Sequence, residues 1–251
     1  MKQKNYKMII EYDGSRYKGW QSQKSTDVTI QGKLNSVFSA LEGSPVQVQG
    51  SGRTDAGVHA AGQTANVHLT VKMEPWEIKE YVNHYLPEDI GVTEIQEAPE
   101  HFHARFSARK KTYCYRIFNS ADPNVFERKW MYQLKEPLDL AAMKEAAEYL
   151  VGTHDFAGFC ARASKKKSTI RTVYRLDIQK KQREVDIVIT GDGFLYQMVR
   201  IIAGTLVEIG LGKQKPQDVA GILEEGVRSH AGITMPAKGL TLCSVEYEEG
   251  I

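Results

Sequence analysis

The sequence is poor in cysteine and has no apolar run long enough to cross a membrane. Its three cysteines lie far apart and form no CxxC pair, which excludes a disulfide framework and a zinc knuckle. The most apolar stretch, 194–209, includes a glutamine, an arginine and a glutamate, so it is too short and too polar to span a bilayer. The first residues contain no apolar signal-peptide region. We therefore expect a cytoplasmic protein that contacts no membrane.

Cofactor and hydrolase motifs are also missing. There is no dinucleotide-binding fingerprint, and the segment 210–213 lacks both the earlier glycine and the following Ser or Thr of a phosphate-binding loop. No GxSxG motif is present. His101 and His103 would lie on one face of a strand and make a metal-dependent hydrolase one alternative, but no third ligand follows at a motif spacing. We expect neither a cofactor nor a metal.

The composition is that of a folded globular protein with an uneven charge distribution. Of the 251 residues, 41% are hydrophobic and 25% are charged, and the formal net charge is only +2. Residues 101–118 nonetheless contain five cations and no acid, and residues 160–181 contain eight cations and one acid. Such segregation is typical of a surface that binds a polyanion, and solvated cations on ordinary loops are the alternative.

The hydrophobic pattern predicts an α+β protein. Apolar residues alternate along 6–12, which predicts a strand, and helical spacing between Thr29 and Gly43 predicts a helix with these two residues as its caps. The remaining patterns predict strands at 46–49, 63–69, 92–96, 112–118, 173–179, 185–190 and 240–247, and helices opened by Pro75, at 138–151, at 195–209 and after Pro216.

This order of elements favours two ferredoxin-like (βαββαβ) halves with largely antiparallel sheets and a cleft between them. We place the boundary between the halves at residues 1–104 and 105–251. The first half then contains a glycine-rich segment between two short strands, and the second half contains the longer basic stretch.

That glycine-rich segment, 50–60, is the best candidate for chemistry. Its glycines allow tight backbone paths around a single acid, Asp55, and a single arginine, Arg53, and its small neighbours would let a bulky ligand approach the carboxylate. A plain Asx turn, in which Asp55 accepts local N–H bonds, is the alternative. The pattern alone leaves both interpretations open.

The motif Gly-Arg-Thr-Asp-Ala-Gly-Val-His-Ala at 52–60 resembles the signature around the nucleophilic aspartate of the TruA-type tRNA pseudouridine synthases. Further matches to the family follow in order along nearly the whole chain, at 12–14, 19–21, 86–90, 102–105, 111–115, 152–156, 171–173, 193–200 and 236–240. One departure is Ile233, where the family usually has proline.

The resemblance implies an isomerase that needs no cofactor or metal. Such enzymes break the N1–C1′ bond of a uridine in the anticodon stem-loop of tRNA (family-typical positions 38, 39 and 40), rotate the base and rejoin it through C5. Asp55 matches the nucleophile, Arg200 its basic partner, and Tyr113 the active-site tyrosine on which uracil stacks. Leu240 matches the aliphatic residue on the other side of the base, and Arg53 is assigned to the flipped nucleotide or its phosphates.

The resemblance also implies tRNA as partner and a homodimer as the assembly. We expect the phosphate contacts to come from the basic stretches, with Arg105, Lys165, Lys166, Lys167 and Arg171 as candidates. A non-catalytic RNA-binding protein of tandem RRM-like units is the alternative class. It requires an RNP1-type strand in each half, and the sequence contains none.

Overall fold

The structure is a computed structural model that describes residues 3–162 and 168–248. Its contacts divide the chain into two compact units. Unit 1 contains the residues up to Arg109 together with those from Thr241 onward, and unit 2 is Lys110–Leu240. The last strand therefore belongs with the N-terminal unit, whereas the sequence pattern had assigned it to the second half.

Unit 1 alternates strands and helices. In chain order its elements are β1 (Lys4–Tyr12), α1 (Ile30–Glu42), β2 (Gln49–Gly50), β3 (His59–Leu69), α2 (Pro75–Tyr85) and β4 (Ile90–Ala98). The order β-α-β-β-α-β expected for the first half is confirmed. Thr29 caps α1 by accepting the N–H of Gly32, and Gly43 ends the helix in the left-handed region, as predicted.

The strands of unit 1 run in the order β4-β1-β3-β2, and each neighbouring pair is antiparallel. Alternate residues of β1 point into the core, and Tyr6, Met8, Ile10 and Tyr12 are almost completely buried. The final strand of the chain, which spans Leu240–Glu246, runs parallel to β3, with Thr241 opposite His59. This pairing is why the C-terminal strand belongs to unit 1.

Unit 2 contains the remaining elements. They are β5 (Lys110–Asn119), β6 (Tyr132–Leu134), α3 (Leu140–Glu148), β7 (Gly152–Asp155), β8 (Ile170–Lys181), β9 (Glu184–Gly191), α4 (Met198–Gly210) and α5 (Asp218–Glu225), after which β10 (Leu240–Glu246) begins. Strands β5, β9, β8 and β7 are neighbours in that order and antiparallel, and β6 pairs with β5 in parallel. The short strands β6 and β7 were not predicted, because three or four residues carry little periodicity.

Helix α4 is the core element of unit 2. All its residues except Arg200 and Glu208 are buried. The helix starts at Met198 and not at 195 as predicted, because Gln197 adopts a left-handed conformation with φ of 61°. Leu195 and Tyr196 consequently lie in the preceding turn.

The mixture of helices with largely antiparallel strands confirms the α+β class. Within residues 3–162 and 168–248, no helix has both the length and the apolar character needed to cross a membrane.

Candidate active site

Asp55 lies in the loop between β2 and β3 of unit 1. The loop closes on itself through the Val58 amide, which donates to the Asp55 carbonyl oxygen at 3.2 Å. Asp55 is half-buried, Arg53 two residues earlier is exposed, and Thr54 between them is buried. Side chains therefore alternate between protein and solvent over these three residues, which leaves Asp55 and Arg53 accessible from outside.

Three hydrogen bonds tie this loop to the segment 12–20, which follows β1. The hydroxyls of Tyr12 and Thr54 lie 2.8 Å apart, the Trp20 amide donates to the Thr54 carbonyl at 3.1 Å, and the Gly57 amide donates to the Tyr17 carbonyl at 3.3 Å. Burial raises the pKa of Tyr12, so its hydroxyl stays protonated and remains a hydrogen-bonding group. The residues on both sides of Asp55 are thus held in place.

Gly19 allows this close approach. Its φ is +95°, and a Cβ added there would lie 2.8 Å from the Thr54 carbonyl oxygen and 3.2 Å from the Ala56 amide nitrogen. A side chain would therefore strain the backbone and push the loop away. This contact explains why the first residue of the motif at 19–21 is a glycine.

Asp89 anchors the same segment from the far side. Its carboxylate accepts the Tyr17 hydroxyl at 2.6 Å and also an Arg16 N–H at 3.0 Å, and its carbonyl accepts the Asp13 amide at 3.0 Å. Burial and the Asp89 hydrogen bond raise the pKa of Tyr17 to about 12. A chain of contacts thus runs from Asp89 through Tyr17 to Gly57.

In unit 2, Tyr113 lies on β5 opposite Ile189 of β9 and is 8% exposed. Its ring meets the Phe194 ring edge to face, with centroids 5.3 Å apart. A Cβ on the adjacent Gly193 would lie 3.7 Å from Nε of Arg171. The structure therefore brings Tyr113, Phe194 and Arg171 into one region of unit 2.

Arg200 interrupts the buried face of α4 and is held by the loop before β10. Its Nε donates to the Met235 carbonyl at 2.6 Å, and the Met235 amide donates back to the Arg200 carbonyl at 3.2 Å. The same loop accepts the Tyr115 hydroxyl at the Pro236 carbonyl, at 2.8 Å. Burial raises the pKa of Tyr115, while the nearby Arg200 charge acts in the opposite direction.

Leu240 follows directly after this loop and is buried. The preceding Gly239 lies against the Tyr115 ring, since a Cβ there would come within 2.7 Å of Cζ. Because Tyr113 and Tyr115 face the same side of β5, the loop that holds Arg200 also fixes the surroundings of the strand that carries Tyr113.

Ile233, the departure from the family pattern, has a specific role in this loop. Its amide donates to Oε1 of Glu208 at 3.2 Å, a bond that proline cannot form. The side chain itself is exposed. The isoleucine thus adds a tie between the loop and α4, and α4 carries Arg200.

Not all cations of the basic stretches are available to a ligand. Arg116 is half-buried and pairs with Glu184 at 2.5 Å and with Glu127 at 3.3 Å. Arg171 donates from Nη1 to the carbonyls of Ser168 and Ile170 at the start of β8, and because these acceptors are neutral its charge can still attract a phosphate. Arg105 is exposed in the loop between β4 and β5. Lys165, Lys166 and Lys167 lie outside the described residues.

The two histidines of the metal alternative do not form part of a metal cluster. Nδ1 of His103 accepts the Arg105 amide at 3.1 Å, so a neighbouring backbone group occupies that ring nitrogen. Among residues 3–162 and 168–248, no three His, Cys, Asp or Glu side chains come together as metal ligands would.

Sequence reasoning missed Phe194, Tyr17 and the role of Asp89. Asp89 and Phe194 lie in the family motifs at 86–90 and 193–200, and Tyr17 lies between the motifs at 12–14 and 19–21, so these motifs were the available signal. Their hydrogen-bond and ring partners are distant in sequence, and no local pattern predicts them.

Asp55 presents a half-buried carboxylate on a loop fixed by several hydrogen bonds in an α+β fold, and such a carboxylate can act as the nucleophile of an enzyme. The family model described as tRNA pseudouridine synthase matches residues 8–107 and 146–248. These ranges include Asp55, Arg200 and Leu240, whereas Tyr113 lies between them. The chain belongs to the tRNA pseudouridine synthase family.

Curated relatives agree over nearly the full length. The protein named tRNA pseudouridine synthase A from Bacillus sp. (strain KSM-64) is 47% identical over 243 residues, which cover 97% of this chain and 99% of the relative. The protein named tRNA pseudouridine synthase A 1 from Clostridium tetani is 46% identical over 97% of this chain and 100% of its own length. A relative from Bacillus cereus, named tRNA pseudouridine synthase A 2, is 44% identical with similar coverage.

Proposed function

We propose that this chain isomerises uridine to pseudouridine in the anticodon stem-loop of tRNA, at the family-typical positions 38, 39 and 40. The membership of the chain in the tRNA pseudouridine synthase family carries the proposal. The structure is in keeping with it, because Asp55 lies in a loop that is supported from β1 and, through Tyr17, from Asp89. Because tRNA works in the cytoplasm, this function agrees with the expected cytoplasmic location.

Asp55 is the proposed nucleophile. Uridine and pseudouridine are isomers, so the reaction consumes no oxidant, reductant or group donor. The N1–C1′ bond breaks, the base rotates, a C5–C1′ bond forms, the proton on C5 leaves and N1 takes up a proton. A carboxylate divides this change into two easier steps, and its first step is attack at C1′, attack at C6 or removal of a sugar proton.

The other roles follow from chemistry and position within each unit. Arg200 favours the ionised carboxylate, and its bond to Met235 sets the plane of the guanidinium. Tyr113 stacks on the uracil and directs its hydroxyl to the C5 proton, and Leu240 packs against the opposite side of the base. Arg53, exposed beside Asp55, holds the flipped nucleotide.

Extrusion of the uridine costs roughly a few kcal/mol, which phosphate contacts must offset. We assign these contacts to Arg105, Arg171 and the lysines at 165–167. The homodimer expected from the family would add contacts from a second copy.

The finer fold proposal is two ferredoxin-like halves with a cleft between them, divided near residues 104 and 105. The order β4-β1-β3-β2 with antiparallel neighbours supports it for the first half. In the second half β5, β9 and β8 are neighbours in the corresponding order.

The decisive experiment incubates the purified chain with an unmodified tRNA transcript and maps pseudouridine chemically along the product. We expect pseudouridine within the anticodon stem-loop and nowhere else. A transcript that stays unmodified, or that is modified only outside this region, contradicts the proposal.

A further inference from the structure

An exposed aromatic ring stands next to a proposed phosphate contact. Phe106 is 76% exposed in the loop between β4 and β5. Its ring lies against the His103 ring, with centroids 4.3 Å apart and an interplanar angle of 41°. The Arg105 guanidinium lies 5.8 Å from the Phe106 centroid.

The loop that presents Phe106 is held firmly within unit 1. The Ala104 amide donates to Oδ1 of Asn66 at 3.0 Å, and the Ala104 carbonyl accepts the Tyr247 hydroxyl at 2.7 Å. The Ser107 amide donates to the His103 carbonyl at 2.9 Å. These bonds on both sides of Phe106 fix its position before any ligand arrives, which lowers the entropic cost of binding.

The charges around the ring favour an anionic ligand. Residues 101–118 contain no acid, and Arg105 is exposed next to the ring. His103 does not add a charge, because burial lowers its pKa and its Nδ1 already accepts the Arg105 amide. The neutral imidazole of His103 packs against one side of the Phe106 ring, and Arg105 is the cation next to the ring.

We propose that Phe106 is a stacking platform for an unpaired base of the tRNA, with Arg105 contacting a neighbouring phosphate. An aromatic face beside a guanidinium is the combination that binds single-stranded nucleic acid without reading its sequence. The proposal rests on the proposed function, since it needs an RNA substrate, and it extends that function to a residue outside the reaction site.

The test compares Phe106→Ala, Phe106→Leu, Phe106→Trp and Arg105→Ala in binding to a fluorescein-labelled tRNA transcript over a series of salt concentrations. The Ala and Leu variants should weaken binding roughly 10-fold to 100-fold at every salt concentration. These substitutions remove the base stack but leave the phosphate contacts, which carry the salt dependence, in place. Phe106→Trp keeps the stack and should bind like wild type. Arg105→Ala should instead reduce the salt slope by about 1.

Trp76→Ala is the matched control, because Trp76 is also an exposed aromatic of unit 1, at 60%, but lies on α2 among acidic residues. It should not change tRNA affinity. If Phe106→Ala and Phe106→Leu both bind tRNA with wild-type affinity while the wild-type enzyme forms pseudouridine, the stacking proposal is wrong and the proposed function still stands. A shift of these variants to a smaller assembly in light scattering overturns the stacking proposal in favour of contact between copies. A wild-type chain that forms no pseudouridine refutes the proposed function instead.

Discussion

The backbone amide of Trp20 donates a hydrogen bond to the carbonyl oxygen of Thr54, at 3.1 Å. Thr54 directly precedes Asp55, so a residue of the segment 12–20, which follows β1, sets the path of the loop that carries the carboxylate. The Tyr12 hydroxyl contacts the Thr54 hydroxyl, so the carbonyl and the side chain of Thr54 are both held from the same segment. We infer that this segment positions Asp55, the proposed nucleophile.

Replacing Asp55 with asparagine tests the nucleophile. Asp55→Asn keeps the size of the side chain but removes its charge and the nucleophilic oxygen. Pseudouridine formation in a single turnover with saturating enzyme should fall below detection, while the melting temperature and tRNA affinity stay near wild type. The control is Asp27→Asn, an exposed carboxylate of unit 1 that pairs with Lys33 at 3.3 Å. Appreciable product from well-folded Asp55→Asn would remove Asp55 from the mechanism.

Thr54→Val tests the positioning role of Thr54. The substitution keeps the shape of the side chain but removes one hydrogen-bond partner of the buried Tyr12 hydroxyl, which also interacts with Gln63, at a cost of roughly 0.5–1.5 kcal/mol in stability. We expect a turnover rate at saturating tRNA about 10-fold below wild type, because a displaced carboxylate misses its near-attack geometry. Thr54→Ser retains the hydroxyl and should recover both properties. If Thr54→Val turns over at the wild-type rate despite its lower melting temperature, Thr54 supports only stability.

Two substitutions of Tyr113 separate stacking from proton transfer. Tyr113→Phe keeps the ring and its edge-to-face contact with Phe194 but removes the hydroxyl. A role of the hydroxyl in removing the C5 proton predicts a loss of about 100-fold or more in turnover, measured in a single-turnover assay. Tyr113→Leu should be severe whichever role dominates. Wild-type behaviour of the leucine variant would show that Tyr113 lies outside the active site.

Asp186 on β9 gives a pH-dependent prediction away from the site. Burial, together with a hydrogen bond to Glu184, raises the pKa of Asp186 above its ordinary value of 3.8, although Lys181 lies 3.3 Å away. A raised folded-state pKa means that the associated stability is present at low pH and lost as pH rises through that pKa. Asp186→Asn should therefore gain melting temperature relative to wild type as pH increases from about 4 to 7.

Melting curves of both proteins across this pH range provide the measurement. Asp177→Asn, which removes a half-buried carboxylate paired with Arg175 on the neighbouring strand β8, is the control. If the difference in melting temperature between Asp186→Asn and wild type is the same at every pH, Asp186 has no perturbed pKa.

Local features of the chain were predictable because they depend on neighbours in sequence. The Thr29 cap, the Gly43 end of α1 and the alternation along β1 all match the structure. The motif around Asp55 indicated the family, which the family model and the curated relatives confirm. The same local reasoning placed the start of α4 three residues too early, because apolar spacing does not reveal the left-handed conformation of Gln197.

Relationships between distant residues needed the tertiary structure. Arg116 belongs to the basic stretch 101–118, yet strand pairing of β5 with β9 brings it to Glu184 and uses its charge internally. The last strand continued the second half in sequence but pairs with β3, since backbone hydrogen bonds form wherever strands become neighbours. The sequence motifs were thus sufficient to name the catalytic candidates. Support of Asp55 by Tyr12, Trp20 and Asp89 arose only when folding placed these separated segments in contact.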